Sequence, residues 1–394
     1  MFKVNQDTYT KILSFFLLFL MSPWFIWANP GKFLLQFYLL LVLSIIISLV
    51  FKVKSIERNS LLIFFCYFLL IIWIIIPFRE FDGIAPALIF ILTPILMFLL
   101  DSGLKIKIYQ SFSKIYVAIN LIFILVWFLY LFKVPFPIVT LENTSKDIFG
   151  AYYYVYYGVV YINTQMYDLP VFSSIFRNHG IFKEPGHLGL YNCLFLICYY
   201  NSLSKRKFII MIVSTILTFS APSLFCLSLI LAIKAVRSLK KILCAFFIVI
   251  FVMFIFNEHI NVIYDSFIAS KLNRGDGSIQ SVLDARAYDL YVLPSLDFYH
   301  FIVGYGKDFF LEYDVIVSDY RNTIYKFGLI YVIMFYFPFL IMFIGFKKIK
   351  IISLFVFVSL IIFLHRSWML ESAQIFVFVF LLYCSFLGQR ESHE

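Results

Sequence analysis

The chain is organised by its apolar runs. Hydrophobic stretches cover approximately 11–27, 33–51, 60–77, 84–100, 115–132 and 187–203, and then 208–219, 222–236, 243–256, 323–346, 351–365 and 369–387. Crossing the hydrocarbon of a bilayer takes about 20 apolar residues in a helix, because lipid offers the backbone no hydrogen-bond partner and a helix satisfies its own. A dozen such crossings use roughly 240 positions. With 63% hydrophobic and 14% charged residues among 394, the composition leaves no water-soluble surface for a different reading. The expectation is an all-α polytopic integral membrane protein, a single transmembrane domain over 1–394 with about twelve transmembrane helices.

Cations mark the connections on one side. Lys52, Lys54 and Arg58 follow the second run, Lys105, Lys107 and Lys114 the fourth, and Lys205, Arg206 and Lys207 the sixth; Lys234, Arg237, Lys240 and Lys241 follow the eighth and Lys347, Lys348 and Lys350 the tenth. The opposite short connections carry only Lys32, Arg79 and Arg366. By the positive-inside rule both termini are expected in the cytoplasm. The net charge of +10 is then an orientation signal, not a nucleic-acid surface. Asn29-Pro30-Gly31 after the first run lacks a small-x-small cleavage site and a second run follows at once, so the first is expected to remain as a helix. Cys66, Cys193, Cys198, Cys226, Cys244 and Cys384 all fall in apolar segments, which argues against a disulfide framework and for packing roles. The 51 Phe and 27 Tyr are expected to fill helix packing and interface belts.

This orientation puts two long connections, 133–186 and 257–322, on the outer side of the membrane. Loops of that length are more often functional than incidental, so chemistry is expected at the extracytoplasmic face. The first ends in Arg177-Asn178-His179-Gly180-Ile181-Phe182-Lys183-Glu184-Pro185-Gly186-His187-Leu188 and runs straight into the sixth span. Pro185 suits the first turn of that helix, where its missing amide hydrogen costs nothing. Glu184 then sits near the cap and His187 one turn inside. An Arg, a Glu, a His and a positive helix end would converge at the membrane boundary, where a phosphate can be held and a proton moved. The alternative is structural: Glu184 caps the helix, Arg177 and Lys183 meet lipid headgroups and His187 bonds a nearby carbonyl.

The string Arg177-x-x-Gly180-x-Phe182-x-Glu184-Pro185-x-His187-Leu188 resembles the signature of Wzy-type O-antigen and capsular repeat-unit polymerases. The layout is similar too: about twelve spans, two long outer loops, and a Gly-x-Gly element in the second, here Gly304-Tyr305-Gly306, followed by re-entry after Asn322 with Gly328 just inside. One departure is the short outer turn Ser220-Ala221-Pro222-Ser223, which lacks the basic residue expected there. The resemblance implies a metal-independent glycosyltransferase without cofactor at the outer face of the bacterial cytoplasmic membrane. It would transfer a glycan from undecaprenyl diphosphate to the terminal sugar of another lipid-linked repeat unit, with a chain-length regulator as an expected partner. Arg177 and Arg286 would bind the diphosphate, with Arg321, Gly304 and Gly306 as further binding positions. Glu184 would be the base or would orient His187, His187 is the alternative base, and His179 ranks behind both.

The remaining residues leave alternatives open. Arg286 has Asp284 and Asp289 beside it and Arg321 has Asp319, so ordinary ion pairs compete with a substrate role. Arg366, beside His365, is a further candidate. The run Gly150-Ala151-Tyr152-Tyr153-Tyr154-Val155-Tyr156-Tyr157 suits sugar stacking but equally an interfacial belt. A Gly-rich nucleotide loop and a paired-aspartate metal motif are both absent from the sequence. Two rivals share the setting: an O-antigen ligase, using the same donor, and a lipid-linked oligosaccharide flippase, for which the near absence of ionisable residues in the span centres is unfavourable.

Overall fold

The structure is a computed structural model that describes residues 6–21, 56–75, 92–132, 134–135, 139–141, 153–162, 166–167, 175–182, 184–235, 295–306, 309, 317, 319–370 and 373–391. In chain order these form α1 (Gln6–Phe19), α2 (Arg58–Ile75), a 3-10 turn at Met97–Leu99, α3 (Ser102–Leu131), β1 (Val139–Leu141), β2 (Tyr153–Tyr156), β3 (Val159–Ile162), β4 (Met166–Tyr167) and β5 (Ile175–Phe176). There follow α4 (Pro185–Cys198), α5 (Lys205–Ile216), α6 (Ala221–Ala235), α7 (Phe298–Val303), α8 (Tyr320–Phe346), α9 (Ile349–Arg366) and α10 (Ala373–Glu391). The chain divides into two compact units. The first comprises Met1–Tyr116, Cys198–Tyr200 and Arg286–Glu394, the second Val117–Ile197 and Asn201–Ala285.

Helix predominates, and the helices coincide with the apolar runs wherever both are visible. Among the described residues α3, α8 and α9 are long and apolar enough to cross a bilayer, while α2, α4, α6 and α10 are apolar but shorter. These are the helices of a membrane protein. The runs at 33–51 and 243–256 lie outside the described residues. Phe is used for packing as expected: in the first unit Tyr67 of α2 packs its ring 5.1 Å from Phe376, and Phe98 packs 5.6 Å from Phe380. The α10 segment around these rings is buried on every face, from Phe376 to Leu387.

Three local features depart from the sequence reading. The first long connection is not featureless: β1, β2 and β3 form an antiparallel sheet and β4 pairs with β5. Val155 opposes Val160, and both are buried with Tyr156 and Val159. The turn joining β2 to β3 is Tyr157-Gly158, with φ of 50° and 80°, the pair of positive values a tight hairpin needs to match strand twist. Tyr153, Tyr154 and Tyr156 of the aromatic run are therefore strand residues.

The second departure is the start of α3, which takes in Lys105, Lys107 and Lys114. At about 45 Å it exceeds the hydrocarbon thickness of about 30 Å, so it can carry lysines beyond the lipid. Lys105 itself is enclosed by protein. It is fully buried, and its ammonium donates to Ser60 Oγ at 2.6 Å and lies 5.3 Å from the Tyr383 ring centre. Tyr383 in turn donates to Glu57 at 2.6 Å.

The third is a break in α8. Gly328 adopts φ 71°, ψ −179°, so the helix is two segments meeting end to end. A break strands carbonyls that would otherwise accept from the next turn. Here three of them find donors: Tyr305 N reaches Tyr325 O at 2.6 Å, Gly306 N reaches Lys326 O at 3.0 Å, and Trp73 Nε1 reaches Phe327 O at 3.0 Å.

Candidate functional site

Pro185 is the first residue of α4, as its chemistry predicts, with Glu184 immediately before it and the His187 amide donating to the Glu184 carbonyl at 3.1 Å. Glu184 is half-buried and His187 is buried, with its ring 6.3 Å from that of Tyr191. Phe182 is buried too and packs edge-on to Tyr191 at 5.1 Å, which seats the approach to the helix.

Upstream, the motif segment docks on the turn between α5 and α6. Arg177 is 7% exposed, and its Nε donates to Thr218 O at 2.9 Å. The Asn178 amide donates to Leu217 O at 2.9 Å. The end of α5 is where carbonyls lack intrahelical donors and the helix dipole is negative, so a guanidinium is well placed there. Asn178 Oδ1 accepts from the Gly180 amide at 2.9 Å, and Gly180 takes φ 58°. A Cβ on Gly180 would lie 2.6 Å from the Phe123 ring, so both conformation and space demand glycine. Its carbonyl accepts from Val160 N at 2.7 Å, tying the motif to β3. His179 is fully buried.

Below the motif the second unit holds a polar seam. Ser214 of α5 donates to Asn120 Oδ1 of α3 at 2.6 Å and accepts from Asn192 Nδ2 of α4 at 3.2 Å, all three fully buried. In an apolar interior such a seam ties helices together because exposed alternatives for these groups are lacking. At its upper end α4 and α6 touch at Gly189, where a Cβ would fall 2.3 Å from Ser223 Oγ.

Arg177, Glu184 and His187 thus belong to one short structured stretch of the second unit. Gly304, Gly306 and Arg321 belong to the first. Gly304 (φ 84°) caps α7 and meets the backbone of the broken α8, with a would-be Cβ 2.5 Å from Lys326 O. Gly306 supplies one of the amides that fill the break. The ion-pair alternative for Arg321 is the arrangement observed: Asp319 caps α8 through the Arg321 amide, and its carboxylate takes Arg321 Nε at 3.0 Å and Nη2 at 2.6 Å. Arg286 lies outside the described residues, as does Lys183. Arg366 ends α9, and the turn after it is closed by Ser367 donating to the Asp319 carbonyl.

Two features escaped the sequence reading. Asp297 caps α7 and also grips the ring of His300, whose Nδ1 is 2.8 Å from Oδ2. The His300 amide first, and then its imidazole, hold the Asp297 carboxyl below the usual range. Tyr305 stacks on His300 at 3.9 Å, with Phe309 on Tyr305 at 4.5 Å. The Asp-x-x-His spacing is the signal that could have found this pair. The other is the Asn178 side chain, which lies inside the motif string at a position the motif leaves open. Among the described residues no group of three or more His, Cys, Asp or Glu is placed to hold a metal ion. Comparison with protein-family models, curated proteins and solved structures finds no match to this chain.

Proposed function

We propose that this protein is a polysaccharide repeat-unit polymerase, a metal-independent glycosyltransferase of the bacterial cytoplasmic membrane working at its outer face. The observation that carries the reading is the immobilised Arg177-to-His187 segment: a buried guanidinium fastened to a helix end, followed within one turn of a new helix by Glu184 and His187. Its substrates are two undecaprenyl-diphosphate-linked oligosaccharides. The acceptor hydroxyl oxygen attacks the anomeric carbon of the donor, its proton passes to Glu184 or His187, and the carbon–oxygen bond to the diphosphate breaks with the electron pair leaving on phosphate. Arg177, together with Arg286, offsets the charge that develops on that leaving group. Two tethered reactants held side by side need little further entropy loss to react. Arg321, already committed to Asp319, fastens α8.

The test is a complementation series. In cells dependent on this protein, Arg177→Ala and Glu184→Ala abolish the long rungs of the surface glycan ladder at normal protein levels; normal ladders from both variants sink the assignment. Purified protein given only lipid-linked repeat units elongates them. Elongation only when lipid A core is added identifies a ligase instead, and net lipid movement without elongation identifies a flippase.

A further inference from the structure

Asn178 is fully buried, and its main-chain N–H and its side-chain oxygen both have partners at short range. Its amide N–H goes to Leu217 O at 2.9 Å, and its Oδ1 takes the Gly180 N–H at 2.9 Å. The second bond decides which end of the carboxamide is oxygen, since an amide NH2 in that place would face an N–H donor. It leaves Nδ2 pointing elsewhere, and Nδ2 is buried with no hydrogen-bond partner. A buried donor without an acceptor is rare, because it gives up its water and gains nothing in exchange.

A second such atom lies in the first turn of α6. Ser223 Oγ is buried and without a partner, at the closest approach of α6 to Gly189 of α4. Both orphan groups lie on segments that meet at residues 217–223, the turn that also anchors Arg177. Nδ2 can only donate, so any partner it takes is an acceptor; the cation carried by the preceding residue, Arg177, favours one that is anionic. We infer that Asn178 is a substrate-binding residue whose Nδ2 donates to a phosphate oxygen of the lipid-linked diphosphate, with Ser223 Oγ as a second contact. This rests on the polymerase reading above and adds to it a neutral donor that fixes the phosphate's orientation, which a cation alone does not.

The experiment uses the full chain in nanodiscs of phosphatidylethanolamine and phosphatidylglycerol, with undecaprenyl diphosphate as the probe, undecaprenol as the tail-only control and inorganic diphosphate as the headgroup-only control. Asn178→Asp keeps the Oδ1 acceptor for Gly180 and replaces the donor with an oxygen. Asn178→Ser keeps a shorter acceptor, lacks the amide, and serves if a buried carboxylate prevents folding. Both variants are expected to bind undecaprenyl diphosphate about tenfold or more weakly with undecaprenol binding unchanged. Wild-type affinity in a folded Asn178→Ser protein overturns the inference. If Arg177→Ala loses diphosphate-dependent binding while both Asn178 variants keep it, the donor role alone falls. If the wild-type chain binds undecaprenol as tightly as undecaprenyl diphosphate, the polymerase reading itself fails. Competition by inorganic diphosphate at similar concentrations overturns the lipid-linked assignment in favour of a free anion.

Discussion

The Nε of Arg177 donates to the main-chain carbonyl of Thr218 at 2.9 Å, joining the end of the first long connection to the end of α5. The acceptor is backbone, so no substitution at Thr218 removes it. The donor geometry belongs to a planar guanidinium, whose remaining N–H groups are thereby held in a defined plane.

Arg177→Lys keeps the charge and loses that plane. Glycan chain formation in cells is expected to fall by at least about tenfold, one lost charge-assisted hydrogen bond in the reacting state, while protein level changes little. A normal glycan ladder from Arg177→Lys would mean that charge alone is used.

Glycine-to-alanine changes should rank by what each Cβ meets. Gly158 (φ 80°) faces open space, so Gly158→Ala carries only the left-handed backbone cost of about 1–2 kcal/mol. Gly180→Ala adds a collision with the movable Phe123 ring, which Phe123→Leu relieves in part. Gly304→Ala and Gly328→Ala would drive a Cβ into backbone, 2.5 Å from Lys326 O and 2.2 Å from Ile302 O, where nothing can yield. Thermal midpoints in detergent should fall in that order, and the last pair should fail to accumulate.

Ser214→Ala removes both hydrogen bonds of the Asn120–Ser214–Asn192 seam and is expected to cost about 1–2 kcal/mol. Combining it with Asn120→Leu and Asn192→Leu should cost less than the sum of the three single changes, since each single change strands a partner and the triple does not. Additive losses in thermal or denaturant unfolding would show that the seam carries no coupling.

The Asp297 cap predicts a pH dependence with a definite sign. Its carboxyl is held below the unfolded value, so the stabilisation of α7 is present above the ordinary carboxylate range and is lost as pH falls through the lower, folded value. Amide exchange of 297–304, corrected for its intrinsic pH dependence, should rise there. Asp297→Asn, which still caps, should flatten the response. His300→Gln should leave most of it, because the backbone N–H at position 300 is the larger cause.

Periodicity and composition reached the membrane class, because long apolar runs have few stable solutions. Local chemistry also carried far: Pro185 does begin α4, and Phe182, Glu184 and His187 do surround that start. The hairpin at Tyr157-Gly158 was hidden because its first turn residue is neither Asn nor Gly, and aromatic runs read equally as belts. The burial of Lys105 was not legible, because Ser60 and Tyr383, which enclose it, lie far from it in the chain.

From the sequence alone one learns that this chain belongs in a bilayer and that Arg, Glu and His cluster around the start of a helix. Only the tertiary structure decides what those residues face. Arg177 and Asn178 bond carbonyls some forty positions away in the chain, Gly304 and Gly328 exist for each other, and Arg321 is claimed by Asp319. Such partnerships depend on which backbone groups a neighbouring helix end or break leaves unfilled, and that is a property of packing, which residue order does not encode locally.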